Sequence, residues 1–444
     1  MKSTTLLGDL LTRVTEVGRS LTQSGTAAEA GPAGLLVTCE QLLKGEGEAT
    51  GLARARQILD RYARFTPEEK AAFFKGVTSR FGVDGKGLEA AIERWREGQG
   101  DAEARAIHYA CEPRSLELFR RLNRAPGGAR DLVAMRADLL RAMREDPGLA
   151  VLDADFQHLF VSWFNRGFLE LRRIDWSSPA EILEKIIAYE AVHEINGWDD
   201  LRRRVAAPDR RLYAFFHPAL SGEPLIFVEV ALTEAIPAAI GPILADGRRP
   251  LAPKSAATAV FYSISNCQEG LRGISFGNFL IKQVVEELQR EFPGLKTFVT
   301  LSPVPGFRGW AEEVAGRGEE GLLAPAECQA VAELREKGAD WAAIAAREEL
   351  LAPLAARYLL EARRPRGGPV DSVARFHLGN GARLERINTG ADRSARGIRS
   401  SWGVMVNYLY DLDRIERNHE AFANGGEVIA SPAIRRLLKR RKVA

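Results

Sequence analysis

The chain has 444 residues, of which 45% are hydrophobic and 27% charged, which is typical of a globular protein. Its 62 lysines and arginines against 59 acidic residues leave a formal net charge of +3, so no global field favours a nucleic acid or an anionic membrane. The four cysteines lack a CxxC pair, so they fit neither a disulfide framework nor a zinc site. No window approaches the ~20 uninterrupted apolar residues of a membrane span. Composition therefore predicts a soluble cytoplasmic protein, and the length favours two domains.

The first third of the chain predicts helices almost throughout. Thr66 is a helix N-cap, Pro67 occupies the first turn, and Glu69 closes a capping box. Amphipathic patterns with helical spacing recur near residues 86–98, 101–110, 113–123 and 129–145. We therefore expect a helical-bundle domain over residues 1–165, built by helix-on-helix packing.

From residue 166 onward the pattern becomes mixed. Ser178-Pro179-Ala180-Glu181 opens a capped helix, and a further helix runs to about Glu291, with Lys282 and Glu286 forming a surface pair. Strands are predicted at residues 211–217, 225–232, 259–265 and 296–301, followed by helix from 309 to 363 and by strand-like runs from 370. This order predicts an α+β fold, with a mixed α/β domain over residues 166–444.

A glycine-containing turn joins the strand ending near residue 265 to the following helix. A strand, such a turn and a helix N-terminus together form an anion site, because free backbone N–H groups and the helix dipole face the ligand. The spacing matches neither GxxxxGK[ST] nor GxGxxG. On the pattern alone, a plain strand-to-helix connection is the stronger interpretation. The candidate phosphate-binding residues are Gln268, Gly270, Arg272, Gly273, Ile274, Ser275, Phe276, Gly277 and Asn278.

Two isolated polar residues follow apolar runs. Ser302 lies where a strand ends at a proline-rich turn, and a serine there more often satisfies a turn hydrogen bond. His377 follows a strand-like residue and precedes a Gly-Asn-Gly turn, where a structural histidine is the stronger interpretation. The other five histidines show no HxxxH or HExxH spacing, so no metal centre is predicted.

A third polar group lies near the C-terminus, at Asn407, Tyr408 and Tyr410. Alternate side chains of a strand share a face, so the two tyrosines point one way and Asn407 the other. Core packing is narrowly favoured for this group. The alternative is that this group supports His377 or a substrate pocket.

Several motifs together resemble the malonyl-CoA decarboxylase family. The resemblance covers most of residues 110–415 in order, whereas the first hundred residues and segment 311–365 match less distinctively. The motifs that carry it include Phe261-Tyr262-Ser263-Ile264-Ser265, Gln268-x-Gly270-Leu271-x-Gly273, Leu301-Ser302-Pro303-Val304-Pro305-Gly306-Phe307, Phe376-His377-Leu378-x-Asn380-Gly381 and Gly403-x-Met405-x-Asn407-Tyr408-x-Tyr410.

This resemblance implies a GNAT (acyltransferase-like) domain whose strand–turn–helix element binds the CoA pyrophosphate, behind a helical domain used in assembly. It places Ser302 and His377 at catalytic positions, and we expect Asn407 and Tyr410 to support them. It also implies a homo-oligomer, dimer or tetramer, a role in fatty acid metabolism, and malonyl-CoA as the partner molecule.

The implied reaction is the lyase chemistry that releases carbon dioxide from malonyl-CoA and leaves acetyl-CoA. The thioester carbonyl is itself the electron sink, so we expect neither a metal nor an organic cofactor. Either His377 supplies the proton while Ser302 hydrogen-bonds the malonyl group, or Ser302 relays the proton and His377 orients the carboxylate. The alternatives are a GNAT-type acyltransferase and a non-catalytic CoA-binding regulator.

Overall fold

The computed structural model describes residues 31–45, 47–274, 280–317, 323–336, 338, 341–365 and 367–439. These residues fold into two units. The first contains the described chain up to Leu169, His217–Ser221 and the described residues of Gln268–Phe276. The second contains Glu170–Phe216, Gly222–Cys267 and the described residues beyond Gly277. The predicted order, a helical part followed by a mixed α/β part, is confirmed.

The first unit consists of helices. They are α1 (Gly31–Leu43), α2 (Glu48–Ala63), α3 (Pro67–Arg80), α4 (Gly85–Gly98), α5 (Asp101–Ala110), α6 (Arg114–Asn123), α7 (Gly128–Ala142) and α8 (Ala150–Trp163). The predicted capping box at the start of α3 is present: Thr66 Oγ1 accepts from the Glu69 N–H at 3.3 Å, and the Glu69 carboxylate accepts from the Thr66 N–H at 2.9 Å. Phe73 and Phe74 on α3 are buried against Tyr62, so the apolar face of this helix forms part of the core.

The second unit is built on a mixed sheet, which contains eight strands within the described residues. They are β1 (Glu170–Ile174), β2 (Arg210–Phe216), β3 (Pro224–Thr233), β4 (Thr258–Asn266), β5 (Thr297–Thr300), β6 (Ser302–Pro303), β7 (Arg383–Asn388) and β8 (Met405–Leu409). Strands β1 to β4 pair antiparallel in sequence order, and β5 lies parallel to β4. Strand β8 pairs antiparallel with β5 and β6 and also with β7.

The four strands predicted between residues 211 and 301 are confirmed as β2 to β5. Strand β1 was not predicted, because its sequence, Glu-Leu-Arg-Arg-Ile, is largely charged. It lies at the edge of the sheet with only Ile174 buried, and charged side chains are typical of edge strands.

Helices connect these strands. They are α9 (Ala180–Tyr189), α10 (Trp198–Val205), α11 (Gly241–Leu244), α12 (Leu280–Glu291), α13 (Phe307–Arg317), α14 (Pro325–Glu336), α15 (Trp341–Ala345), α16 (Glu348–Leu360), α17 (Ser372–Gly379), α18 (Ala395–Ser401), α19 (Ile415–Gly425) and α20 (Pro432–Lys439). None of the helices in the described part of the chain combines the length and the apolar character needed to cross a membrane.

Two local predictions were wrong. His377 lies on helix α17 and not on a strand-like segment, because the Asp371 carboxylate accepts from the Ala374 N–H at 2.7 Å and starts a helix there. Lys282 pairs with Glu416 of α19, so tertiary contact replaces the predicted pair with Glu286.

Candidate active site

Ser302 and His377 are in direct contact in the mixed α/β unit. Strand β6 places Ser302 opposite Val406 of β8, and helix α17 carries His377. The distance from Ser302 Oγ to His377 Nε2 is 3.0 Å, and the two residues are only 5% and 3% exposed. The geometry is that of a hydroxyl and an imidazole sharing a proton, out of contact with bulk water.

Hydrogen bonds extend this contact on both sides. Ser302 Oγ donates to Thr300 Oγ1 at 2.8 Å, and His377 Nδ1 lies 2.9 Å from the Tyr410 hydroxyl. The ring of Tyr408 stacks on the imidazole, with 4.6 Å between ring centroids. Four polar side chains, Thr300, Ser302, His377 and Tyr410, therefore form one continuous chain of hydrogen bonds, which we call the relay.

Burial determines the charge of the relay. It lowers the pKa of His377 to about 3, so the imidazole is neutral near pH 7. Burial also raises the pKa of the Tyr410 hydroxyl, which is therefore protonated in the resting site. With Tyr410 donating to Nδ1, the Nε2–H donates to Ser302 and the Ser302 hydroxyl is free to donate onward. In this tautomer all the hydrogen bonds of the relay run in one direction, from Tyr410 through His377 and Ser302 to Thr300.

Asn407 supports the backbone around the relay and does not touch His377. Its Nδ2 donates to the Thr300 carbonyl oxygen at 2.7 Å, while its Oδ1 accepts from Asn388 Nδ2 at 2.7 Å and from Arg386 Nε at 3.0 Å. The alternation predicted for this strand is confirmed, because the two tyrosines both contact His377 and Asn407 points to the other side. Asn407 thus ties β5 to β7 through β8.

Sequence reasoning missed Thr300. It accepts from Ser302 and also from the Tyr408 N–H at 3.1 Å, so it links the relay to strand β8. Its position two residues before Ser302 was the available signal, since residues i and i+2 of a strand share a face.

The turn after β4 belongs to the helical unit, where it packs on helix α7. A Cβ atom added at Gly270 would lie 1.8 Å from the Val133 carbonyl oxygen, so close packing requires glycine there. The buried Arg136 guanidinium donates to the carbonyl oxygens of Gly270 and Arg272 at 2.7 and 3.0 Å, and to Asp153 at 2.7 Å. Sequence reasoning attributed Gly270 to phosphate approach and did not include Arg136.

The remaining residues predicted to bind phosphate are only partly described. Gln268 precedes the 3₁₀ turn Glu269–Leu271, Arg272 is exposed, Gly273 has a φ of +82°, and Ile274 is buried. Ser275, Phe276, Gly277 and Asn278 lie outside the described residues. Phosphate binding by this turn stays a prediction.

Within the described residues, no three His, Cys, Asp or Glu side chains are grouped as metal ligands would be. The site that can be described is therefore the relay, a buried hydroxyl and neutral imidazole backed by a tyrosine. Such an arrangement can donate a hydrogen bond to a developing oxyanion or pass a proton to a substrate.

Comparison with known proteins gives consistent results over nearly the whole chain. The family model of the malonyl-CoA decarboxylase C-terminal domain matches residues 167–444, and that of the N-terminal domain matches residues 81–164. The mitochondrial malonyl-CoA decarboxylase of the goose Anser anser anser is 35% identical over 416 residues, which cover 86% of this chain and 82% of that protein. The rat protein of the same name is 38% identical over 400 residues, with coverages of 82% and 81%.

Comparison with solved structures leads to the same family. The malonyl-CoA decarboxylase of Rhodopseudomonas palustris is 51% identical, with a TM-score of 0.89 over 92% of this chain and 100% of that chain. The Agrobacterium vitis enzyme is 53% identical, with a TM-score of 0.85 over 91% and 99%. Both domains are thus matched in sequence and in fold, and the chain belongs to the malonyl-CoA decarboxylase family.

Proposed function

We propose that this chain is a carboxy-lyase that converts malonyl-CoA to acetyl-CoA and carbon dioxide. Membership of the family supports the reaction, and the observation that carries the assignment to a site is the 3.0 Å contact between Ser302 Oγ and His377 Nε2. The residues that the sequence resemblance places at catalytic positions are thus neighbours in a buried cluster of polar side chains.

The reaction demands little from the protein. As carbon dioxide leaves, the electrons of the broken C–C bond flow into the thioester carbonyl and produce an enolate. The enzyme must stabilise the negative charge that develops on oxygen and then protonate the carbon. We propose that no metal or organic cofactor takes part, because the thioester itself accepts the electrons.

We propose that Ser302 faces the malonyl group and that His377 acts in its neutral form. The low pKa of His377, about 3, argues against an imidazolium as the proton donor at neutral pH. In the tautomer with Nε2–H donating to Ser302, the Ser302 hydroxyl is the last donor of the relay, and we propose that it turns its proton from Thr300 Oγ1 to the malonyl group when the substrate binds. Hydrogen bonds in one direction polarise one another, which strengthens the donor that meets the enolate.

The proton can then be accounted for along the relay. Ser302 Oγ gives its proton to the enolate carbon and receives the Nε2 proton of His377, while Nδ1 takes the proton of Tyr410. A thioester enolate is far more basic than a phenolate, so this transfer is downhill. After acetyl-CoA leaves, Nδ1 returns its proton to Tyr410 and Nε2 takes one proton from solvent, which restores the starting tautomer and accounts for the uptake of one proton per turnover.

We propose that the turn at residues 268–278 binds the CoA pyrophosphate. The carbonyl oxygens of Gly270 and Arg272 accept from the Arg136 guanidinium, which supports the view that the first part of this turn, residues 268–272, has a fixed conformation. A fixed turn lowers the entropic cost of holding a phosphate against backbone N–H groups.

The test is release of carbon dioxide and acetyl-CoA from malonyl-CoA, without any added amine, by metal-free protein in the presence of a chelator. We expect turnover by the unmodified protein and a loss of about 10²–10⁴-fold in kcat for Ser302→Ala, with CoA affinity unchanged. Ser221→Ala, at an exposed serine, is the matched control. Turnover that requires metal, or a near-normal Ser302→Ala variant, would contradict the mechanism, and product formed only with an amine acceptor would favour an acyltransferase.

We further propose that the chain assembles as a homo-oligomer through its helical unit. Support comes from large apolar side chains that this unit leaves exposed, among them Trp95, Tyr109, Val151 and Val161. Light scattering of the purified protein gives the mass directly. A monomer at micromolar concentration would contradict the proposal.

We propose a cytoplasmic location. All four cysteines are free thiols, which suits a reducing compartment. The goose and rat relatives are named as mitochondrial proteins, so fractionation of the source cells followed by an activity assay is the appropriate test. Activity confined to an organelle fraction would overturn this proposal.

A further inference from the structure

A further pocket lies in the mixed α/β unit, with a volume of about 750 Å³. Its walls come from residues 192–194, 239–242, 244, 390–396 and 399, that is, from the loop before α10, from α11 and the loop before it, and from α18 and the loop before it. This volume is typical of pockets that bind small molecules. None of the four relay residues lines it.

The pocket opens on the face of the sheet opposite to the relay. Ile240 and Ala391, which line it, pack in one apolar cluster with Val299 and Leu301. Neighbouring residues of a strand point to opposite faces, so Thr300 of β5 faces away from the cluster that contains Val299, and Thr300 is the residue that hydrogen-bonds Ser302. The sheet thus separates this pocket from the Ser302–His377 contact.

Three arginines line the pocket: Arg393, Arg396 and Arg399. In the described part of the chain their contacts are the Trp341 ring, 4.5 Å below the Arg393 guanidinium, and the Val192 carbonyl oxygen, 3.4 Å from Arg396. No carboxylate of the described residues lies within ion-pair distance of them, and Asp392 accepts from the Ser394 N–H instead. The carboxylates of Glu194 and Asp392 also line the pocket, so three arginines against two acids leave a formal charge of +1, carried by guanidinium groups that have no ion-pair partner among the described residues.

His193 adds an unsatisfied acceptor. Its Nε2 is buried and has no hydrogen-bond partner among the described residues. Burial lowers the pKa of His193 to about 4, so the ring is neutral near pH 7, and in the tautomer with the proton on Nδ1 the unpartnered Nε2 carries a lone pair. A buried acceptor without a donor is costly, so a ligand O–H or N–H that meets it is favoured.

We propose that this pocket binds a small organic oxyanion, a carboxylate or a phosphate monoester, that also carries a hydroxyl or N–H group. Arg396 and Arg399 bind the oxyanion, which suits the planar guanidinium, and His193 Nε2 accepts from the donor group. The inference rests on the residues of this pocket and does not depend on the proposed decarboxylation.

The probes are pairs that differ by one hydroxyl, titrated into the full chain by calorimetry at physiological salt. Glycerol 3-phosphate against propyl phosphate tests the phosphate class, and lactate against propionate tests the carboxylate class. We expect at least one hydroxylated probe to bind with a Kd below about 1 mM, and its deoxy partner to bind about tenfold more weakly. If the phosphate pair binds, the oxyanion is a phosphate monoester; if the lactate and propionate pair binds, it is a carboxylate.

Variants locate the binding. Arg396→Gln combined with Arg399→Gln should weaken the affinity for the probe at least about tenfold. His193→Phe should remove the difference in affinity between a hydroxylated probe and its deoxy partner. Arg94→Gln combined with Arg105→Gln removes the same charge from exposed helical sites and should leave binding unchanged. Absence of binding by all four probes, equal binding by the double-arginine variant, or displacement of the probe by CoA would each overturn the proposal.

Discussion

Ser302 and His377 are 75 residues apart in the chain, yet Ser302 Oγ lies 3.0 Å from His377 Nε2. One residue sits on strand β6, the other on helix α17, and both elements are held by their own hydrogen bonds: Ser302 is paired with Val406, and Asp371 caps the helix. Regular elements position catalytic groups more accurately than loops do. The contact is thus a property of the folded unit, present before substrate binds.

The Tyr410→Phe variant should show whether the Tyr410 hydroxyl acts on His377 during the reaction or contributes to substrate binding. The variant removes the hydroxyl 2.9 Å from His377 Nδ1 and leaves that buried nitrogen without its partner. We expect kcat to fall roughly 10–100-fold with little change in KM, because the relay acts on the developing charge and not on CoA. Steady-state kinetics with malonyl-CoA measures both constants.

Tyr109→Phe, on an exposed face of α5, is the matched control and should behave as the unmodified protein. A Tyr410→Phe variant with kcat within twofold of normal would mean that His377 needs no partner at Nδ1. A rise in KM as large as the fall in kcat would instead indicate that the substitution disturbs substrate binding and the structure of the site as a whole.

Acid should destabilise the protein partly through His377. Its pKa is about 3 in the folded chain against about 6.5 when exposed, so below pH 6.5 the unfolded chain binds a proton that the folded chain does not. The free energy of unfolding should therefore fall by about 2 kcal/mol between pH 7 and pH 5 from this residue alone.

The measurement is urea unfolding of the unmodified protein and of His377→Gln at pH 7 and pH 5. The variant lacks the titrating ring, so between pH 7 and pH 5 its free energy of unfolding should fall by about 2 kcal/mol less than that of the unmodified protein. Equal losses of stability in the two proteins would show that His377 is already protonated or accessible in the folded state.

Gly270→Ala should disturb the helical unit. The new methyl group would lie 1.8 Å from the Val133 carbonyl oxygen, and backbone atoms on both sides must move to accept it. We expect a loss of at least about 2 kcal/mol in the free energy of unfolding, which urea denaturation measures. Gly294→Ala, whose Cβ would meet no atom within 4 Å, should change it by less than about 0.5 kcal/mol. Equal effects of the two substitutions would refute the close packing described here.

Thr66→Ala should cost about 1 kcal/mol of unfolding free energy, since it removes the oxygen that accepts from the Glu69 N–H at the start of α3. Ser79→Ala, near the other end of the same helix, leaves the capping box intact and is the control. Thermal unfolding of the two variants gives the comparison. A control that is as destabilised as Thr66→Ala would show that the cap contributes nothing specific.

Local patterns were sufficient for much of the fold. The capping box at Thr66 and the largely apolar runs of β2 to β4 depend on neighbours within a few positions, so the sequence alone predicts them. The exposed strand β1 and helix α17 escaped prediction for a related reason. Their local sequences are ambiguous, and pairing with β2 or capping by Asp371 decides the outcome.

For the site, the sequence by itself determined which residues resemble those of the family, including Ser302, His377 and Tyr410, and predicted that Tyr408 and Tyr410 share a face. Only the tertiary structure decided that Ser302 and His377 touch, that Thr300 completes the relay, and that Gly270 packs on Val133. The physical reason is distance along the chain. Periodicity and capping act over a few residues, whereas these contacts form only when the sheet and the helices have packed, and the burial that makes His377 neutral arises at the same step.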